Sequence, residues 1–487
     1  MKIELGVGST TLTEIAALIG KEARLPENRE VPIVTHVATD SREISAGTLF
    51  LGIRGERVDG NDYCEQALAD GAAAVLCEKA PKSGAAIVTD DTVLTLGRLA
   101  NAVKQNLSFK TVAVTGSVGK TTTKDLISLV LSQKYKTHSS KGNFNSNIGL
   151  PMSILAAPAD TECGVFELGM SAFLEIDYLS RLVCPDIGVI TNVGTSHMES
   201  LGSRENIAKA KLELLNGMEK GSTVLLNGDD ALLCAAKETV KENGIRPLYV
   251  SVSTSENFSS AADFRAENIR EKIGQTIFDL CFGETVYRDL KLSVMGIHSV
   301  YAALFASAVG VLLGVSEDEI RRGLSSFTSA PMRQSIESIA GITLIEDCYN
   351  ASPESMRAAL DVAKTIVERQ GSGRLIALLG DMRELGETSW ELHKEVGRYA
   401  KESGVKKLFT FGEIASVHLL NGALQAGLEG ENTFRMDSSR TPTEIAEEIL
   451  IDLKTDDVVL VKASRALRAE RIVTVLRERL SEKEQTK

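Results

Sequence analysis

The stretch VAVTGSVGKTTTKDL (residues 112–126) decides the reading of this chain. Apolar residues with strong strand preference lead into Gly116-Ser117-Val118-Gly119-Lys120-Thr121, and a polar helix start follows. Strand, glycine turn and helix N-terminus together make a phosphate cradle. Backbone N–H groups can turn toward an anion, and the helix dipole adds positive potential. Lys120 is expected to reach the β- and γ-phosphates of a nucleotide, and the Thr121 hydroxyl to ligate Mg²⁺. Thr115, Gly116, Ser117, Val118, Gly119 and Thr122 complete the expected contact set. The common Walker pattern has four residues between its glycines. Here only Ser117 and Val118 intervene, and Val114 stands where the first Walker glycine would be. Taken alone, the loop says nucleotide and no more.

The chain around it has 487 residues, too many for one core, so about three domains are expected. The expected fold class is α/β with three domains. Residues 1–107 form a small N-terminal α/β unit from short strand-like runs such as IVTHVATD and AAAVLCE. Residues 108–330 hold a P-loop-type parallel sheet, in which TVAVT, CGVFELG, IGVITNVG and STVLLNGDD read as continuous buried strands. A more polar stretch, residues 251–291, reads as antiparallel ribbon. Residues 331–487 again alternate strand and helix without a glycine-rich dinucleotide fingerprint, so a Rossmann-like sheet that binds something else is expected. The tail SEKEQTK is expected to fray.

Composition excludes several classes. A formal charge of −12 with no basic patch argues against a nucleic-acid partner. Seven dispersed cysteines without a Cys-x-x-Cys pair suit reduced thiols in a cytoplasm, not zinc or a disulfide framework. The N-terminus lacks the clean apolar run of a signal peptide. Residues 292–316 carry no Asp, Glu, Lys or Arg and are long enough to span a bilayer. They include Gly296, His298, Ser299, Tyr301, Ser307 and Gly310, however, and read as a small-residue helix packed inside a large protein. No membrane insertion is expected, and the chain is read as a monomer.

Glu167 ends the strand run CGVFELG beside the cradle, where a carboxylate suits a Mg²⁺ ligand. His197 follows another strand and Lys211 lies on the next helix. A GTPase-type switch would need an Asn-Lys-x-Asp base reader, which does not occur.

The segments GSVGKTTTK, NFNSNIGLP (residues 143–151), FELGMS, ITNVGTSHME, AKLELL, NGDD and GIH occur in that order. Together they resemble the Mur ligase family of ATP-dependent amide-forming enzymes, over essentially the whole chain. DSREISAGTLFLGIRGERVDGNDY (residues 40–63) resembles the UDP-binding module of the branch that handles longer muramoyl peptides. EDCYNASPESMRAAL (residues 346–360), LLGDMRELGETSWELH (residues 378–393) and VKASRALRAERIV resemble the members that join D-alanyl-D-alanine to UDP-N-acetylmuramoyl-tripeptide.

The resemblance implies that ATP phosphorylates the tripeptide's terminal carboxylate and that the amine of D-Ala-D-Ala attacks the acyl phosphate. It implies catalytic roles for Lys120, Asn147, His197 and Lys211. It also implies two Mg²⁺ ions held by Thr121, Glu167, His197 and Lys211, the last carrying a carbamate from CO₂. Arg333 falls to the ATP phosphates and Asp347 to the ribose. Asp40, Ser41, Arg42, Asp59, Gly60, Tyr349 and Asn350 fall to the other substrates. The third domain is implied to close over ATP, so Arg333 and Asp347 are expected far from Lys120 in an open, ATP-free arrangement. The family commonly has Asn where this chain has Ser299 and Ala302, and Gly where it has Ala463 and Ala466. The sister ligase that adds diaminopimelate or lysine carries Asp-Asn-Pro-Arg, which is absent here. A folate polyglutamylating ligase shares the loop but not the Asp40-Ser41-Arg42 module, and a P-loop nucleotide switch lacks its base reader.

Overall fold

Both faces of the strand Lys110–Thr115 are buried: Val112 and Val114 pack into one apolar cluster and Ala113 into another. That two-sided burial is what a near-continuous apolar run predicts for the middle of a parallel sheet. The computed structural model describes residues 1–26, 30–252, 262–436 and 439–485. In it this strand is the third of nine in the central sheet. Cys163–Glu167 and Ile187–Ile190 flank it on either side, both parallel to it. The sheet continues through Thr223–Asn227, Arg246–Val252 and Phe264–Lys272, all parallel. Gln275–Phe282 and Thr285–Leu292 then run antiparallel. The polar stretch thus forms the expected ribbon from residue 264 onward, and residues 253–261 lie outside the described residues.

The uncharged segment is the buried helix Ile297–Leu312, packed on the helix Lys120–Leu131 that follows the phosphate loop. Small residues allow that approach: a Cβ on Gly310 would stand 2.8 Å from Val130 Cγ1. Among the described residues no helix is long and apolar enough to cross a membrane. The helix Glu470–Gln485 runs through most of the tail, so the fraying expected from residue 481 does not begin there. Ser481 Oγ donates to Arg477 O at 2.8 Å and holds that last turn. Residues 486–487 lie outside the described residues.

Two six-stranded sheets flank the central one. The N-terminal sheet has four parallel strands, His36–Ala38, Thr48–Leu51, Ala74–Cys77 and Ala86–Val88, edged by antiparallel Lys2–Glu4 and Ala23–Arg24. In the C-terminal sheet, Ile342–Glu346, Val458–Lys462, Leu375–Gly380, Val405–Phe411 and Thr433–Met436 run parallel, with Ser335–Ile339 antiparallel at one edge.

The two seams differ in kind. One apolar cluster joins Leu12, Leu49 and Leu96 to Leu150, Phe166 and Leu226, so the first sheet and the central one share a core. The C-terminal sheet has its own clusters, which among the described residues take only Met295 from outside. Its seam with the central unit is largely polar: Glu354 to Thr195, Glu384 to His197, Arg333 to Thr121. The first seam is thus a shared apolar core, whereas hydrogen bonds and an ion pair span the second.

Within the C-terminal unit, the fully buried Asp381 follows the strand Leu375–Gly380. Its carboxylate accepts from the backbone N–H groups of Glu413, Ile414 and Ala415 at 3.1, 3.0 and 2.7 Å. It ties one strand-end loop to the next. Asp381→Ala leaves three N–H groups without their charged acceptor, and the C-terminal unit is expected to lose at least about 3 kcal/mol, read as an earlier transition in urea.

Candidate active site

The turn after Thr115 is pinned by the next strand's end. Thr191 Oγ1 and Asn192 Nδ2 donate to Val118 O at 2.7 and 2.9 Å, and Val118 N donates to Asn192 Oδ1 at 3.0 Å. Gly194 N donates to Ser117 Oγ at 2.9 Å. Gly116 (φ +150°) has to lack a side chain, because a Cβ there would stand 1.9 Å from Thr191 Oγ1. Gly119 (φ +83°) caps the helix Lys120–Leu131. The loop sits where the strand order reverses, at the carboxyl ends of Lys110–Thr115 and Ile187–Ile190, the usual ligand crevice of an open α/β sheet.

Lys120 Nζ folds back over the turn and donates to Gly116 O at 2.8 Å and Ser117 O at 3.4 Å. Burial pushes its ammonium below the ordinary lysine range. Glu167 and Glu384 oppose that shift and Arg333 adds to it. Glu167 is 3% exposed and fully engaged. Thr121 Oγ1 donates to its Oε2 at 2.7 Å and Asn145 Nδ2 to its Oε1 at 2.8 Å. The Thr121 hydroxyl and the Glu167 carboxylate are therefore in direct contact. Asn147 is exposed and lines the same cavity.

His197 holds a left-handed backbone (φ +66°), and its Nδ1 lies 2.7 Å from Glu384 Oε2, leaving Nε2 uncommitted by that contact. Lys211, on the helix Arg204–Leu212, is 1% exposed, whereas Lys209 on the same helix is exposed. Burial drives the Lys211 amine far below its ordinary range, and the neighbouring Lys120 charge pushes the same way. Such an environment favours the neutral amine.

The C-terminal unit reaches into this site. Arg333 Nη2 donates to Thr121 Oγ1 at 3.2 Å, and the guanidinium stacks 4.0 Å from the Tyr349 ring centre. The expected wide separation of Arg333 from the loop is not the arrangement found, since here the units are closed on each other. Asp347 is held by the buried Lys462, whose Nζ lies 2.6 Å from Asp347 Oδ2 and also donates to Asn350 O at 3.1 Å. Arg333, Asp347, Tyr349, Asn350, Lys462 and Glu354 all border one cavity of about 1070 Å³ with the loop, Glu167 and His197. Val93 and Leu94 border it from the N-terminal unit. Ser299 borders it too, with its hydroxyl turned to Met295 O at 3.0 Å.

Other expected residues stand elsewhere. Asp40, Ser41, Arg42, Asp59 and Gly60 are not in the cavity wall, and neither are Thr115, Gly116 and Lys211. The first five follow parallel strands of the N-terminal sheet at their carboxyl ends. There Arg42 pairs with Asp40 at 2.6 Å and holds that carboxyl well below the usual range. Asp59 accepts from Asn61 N and Nδ2 at 2.9 and 2.8 Å, which lowers it likewise. Sequence reasoning missed Lys462, Glu354 and Glu384. All three lie inside the segments quoted above, but nothing local assigns a partner to any of them.

Three family models match in chain order: the Mur ligase family catalytic domain over residues 33–110, the Mur ligase middle domain over 114–310, and the Mur ligase glutamate ligase domain over 333–465. The chain is 36% identical to the UDP-N-acetylmuramoyl-tripeptide–D-alanyl-D-alanine ligase of Bacillus subtilis (strain 168), over 95% of this chain and 97% of that protein. The chain belongs to the Mur ligase family. The crystal structure of MurF from Acinetobacter baumannii is 28% identical and superposes with a TM-score of 0.85, covering 97% of this chain and 100% of that one. MurF from Thermotoga maritima in complex with ADP is likewise 28% identical, with a TM-score of 0.79 over 92% of this Mur ligase and 98% of that chain.

The Gly116 contact gives a direct check of the cradle. Gly116→Ala forces Thr191 aside, breaks its hydrogen bond to Val118 O and deforms the loop. Calorimetry is expected to show nucleotide affinity reduced more than about tenfold, or about 1.4 kcal/mol. The far-UV circular dichroism should be unchanged.

Proposed function

We propose that this Mur ligase uses ATP to join D-alanyl-D-alanine to UDP-N-acetylmuramoyl-tripeptide, forming an amide in peptidoglycan precursor synthesis. The observation that carries the substrate assignment is the match along 95% of the chain to a ligase of that name. The absent Asp-Asn-Pro-Arg tetrapeptide speaks against the sister ligase, and the absent Asn-Lys-x-Asp base reader speaks against a nucleotide switch.

In this reading the turn 115–122 takes the triphosphate, with Lys120 leaving its two carbonyl partners for the β- and γ-phosphates. Arg333 neutralises charge from the opposite wall, and Asp347 with Lys462 lies toward the ribose. The γ-phosphoryl passes to the tripeptide's terminal carboxylate. ADP leaves, the amine of D-Ala-D-Ala adds to the acyl carbon, and the tetrahedral intermediate expels phosphate. Such a transfer needs positioning and charge neutralisation more than a protein nucleophile. Closing the C-terminal unit keeps water from the acyl phosphate. Tyr349 and Asn350 serve the acceptor end of the cavity and Asn147 the reacting carboxylate. Asp40, Ser41, Arg42, Asp59 and Gly60 hold the UDP end on the N-terminal sheet.

Among the described residues no three His, Cys, Asp or Glu side chains cluster as a metal cage. Mg²⁺ does not need one, because it takes one or two carboxylates, substrate phosphates and water. Thr121 and Glu167, already in contact, fit one such ion, and in this reading His197 and Lys211 would hold a second. When bound, these ions would neutralise charge on the phosphates during transfer. Lys211 suits that place only as an anion. Its buried, neutral amine can add to CO₂, forming an N–C bond and releasing one proton to give a carbamate. We place the units at residues 1–107, 108–330 and 331–487, in a cytoplasmic enzyme whose site is completed within one chain.

Two outcomes are expected. Phosphate release should require both UDP-muramoyl-tripeptide and D-Ala-D-Ala, and equal turnover with a dipeptide-stage acceptor and a free amino acid would contradict the assignment. Lys211→Ala should nearly abolish ligation, with partial recovery in millimolar short-chain carboxylic acids. Because the carbamate forms from the unprotonated amine, a ¹³CO₂-derived carbamate resonance in the wild type should grow as pH rises through the lowered Lys211 pKa. It should be missing in the variant.

A further inference from the structure

One segment of the central unit, residues 194–199, which leads into the short helix Met198–Leu201, is gripped by two carboxylates of the C-terminal unit. Glu354 accepts from Thr195 N at 2.8 Å and from Thr195 Oγ1 at 3.0 Å, and a Cβ on Gly194 would stand 2.9 Å from that carboxylate. Glu384 Oε2 lies 2.7 Å from His197 Nδ1, and its backbone carbonyl accepts from Glu199 N at 3.2 Å. A Cβ on Gly386 would meet Glu199 Cα at 3.0 Å. His197 and Glu384 both hold φ +66°, a conformation residues other than glycine seldom adopt. Two such residues facing each other across a seam mark a contact that the surrounding structure enforces.

We infer that Glu384 is a positioning residue for His197, and that the seated C-terminal unit fixes the imidazole in the orientation the site uses. This rests on the role proposed above for His197. A carboxylate at Nδ1 selects the tautomer with the proton there and leaves the Nε2 lone pair as the free ligand. The ion pair itself is not the purpose: Glu384 is 56% exposed, and exposed pairs contribute little to stability. What the contact adds is coupling. With the unit displaced, His197 loses its orienting partner and Thr195 loses Glu354 together, so the ring is aligned only when Arg333 is also at the loop. Premature hydrolysis of ATP in an open site is thereby disfavoured.

The test uses the full chain and Mn²⁺ as a spectroscopic substitute for Mg²⁺. Mn²⁺ titrations of the complex with a non-hydrolysable ATP analogue, followed by electron paramagnetic resonance, are compared for wild type, Glu384→Ala and Glu384→Gln. Glu384→Ala is expected to weaken Mn²⁺ binding and lower kcat by about 10–100-fold, with the KM for ATP nearly unchanged. Glu384→Gln keeps an acceptor oxygen at Nδ1 and is expected to recover most of both. Wild-type Mn²⁺ affinity in Glu384→Ala overturns the inference. So does a Gln variant as impaired as Ala, since the charge would then act on the ion and not on the ring. Tripeptide-dependent turnover by the wild type in the same assay checks the underlying function separately.

Discussion

The turn at Gly116 carries a steric constraint from which the arrangement of the site follows. Without a side chain there, the chain leaves the strand Lys110–Thr115 close against Thr191 and Asn192, and those two residues lock Val118 by three hydrogen bonds. That lock fixes the helix beginning at Lys120, which in turn delivers Thr121 to Glu167 and to Arg333. A one-residue change in this turn would therefore be felt by groups from two sheets. The shortened spacing between Gly116 and Gly119 is compatible with anion binding because the neighbouring strand end supplies the support that a longer loop would have to supply for itself.

Burying charge is the second constraint. Lys120, Glu167 and Lys211 lie within one small region, and burial disfavours the ammonium forms of both lysines. Glu167 is compensated by Thr121 and Asn145. Lys120 is eased by Glu167 and Glu384, whereas at Lys211 the Lys120 charge adds to the burial that disfavours the ammonium. An amine in that position is held toward its neutral form. Polar contacts join this region to the C-terminal unit, whereas a shared apolar core holds the first two sheets together.

Much of this was legible in the sequence because it is local. The phosphate loop, the buried strands around it and the acid ending the strand Cys163–Glu167 are each set by a few consecutive residues. The uncharged helix Ile297–Leu312 was separable from a membrane span by its glycines and serines. What stayed hidden depends on long-range pairing. Glu354 meets Thr195 from 159 residues away along the chain, and Lys462 meets Asp347 from 115 residues away. No periodicity or spacing encodes such partners. The closed position of Arg333 was likewise unreadable, since it is set by the balance between polar contacts across a seam and not by its neighbours in the chain. Asp381, prominent in a segment singled out by resemblance, proves to support a loop by accepting three backbone N–H bonds.

In the proposed reaction this cavity passes a phosphoryl group to a substrate carboxylate. The most direct test labels the terminal carboxylate of UDP-muramoyl-tripeptide with ¹⁸O and follows one turnover with ATP and D-Ala-D-Ala by mass spectrometry of the released phosphate. An acyl phosphate obliges one carboxylate oxygen to leave with phosphorus, so the released phosphate is expected to carry one ¹⁸O. Amide formed with unlabelled phosphate would contradict it.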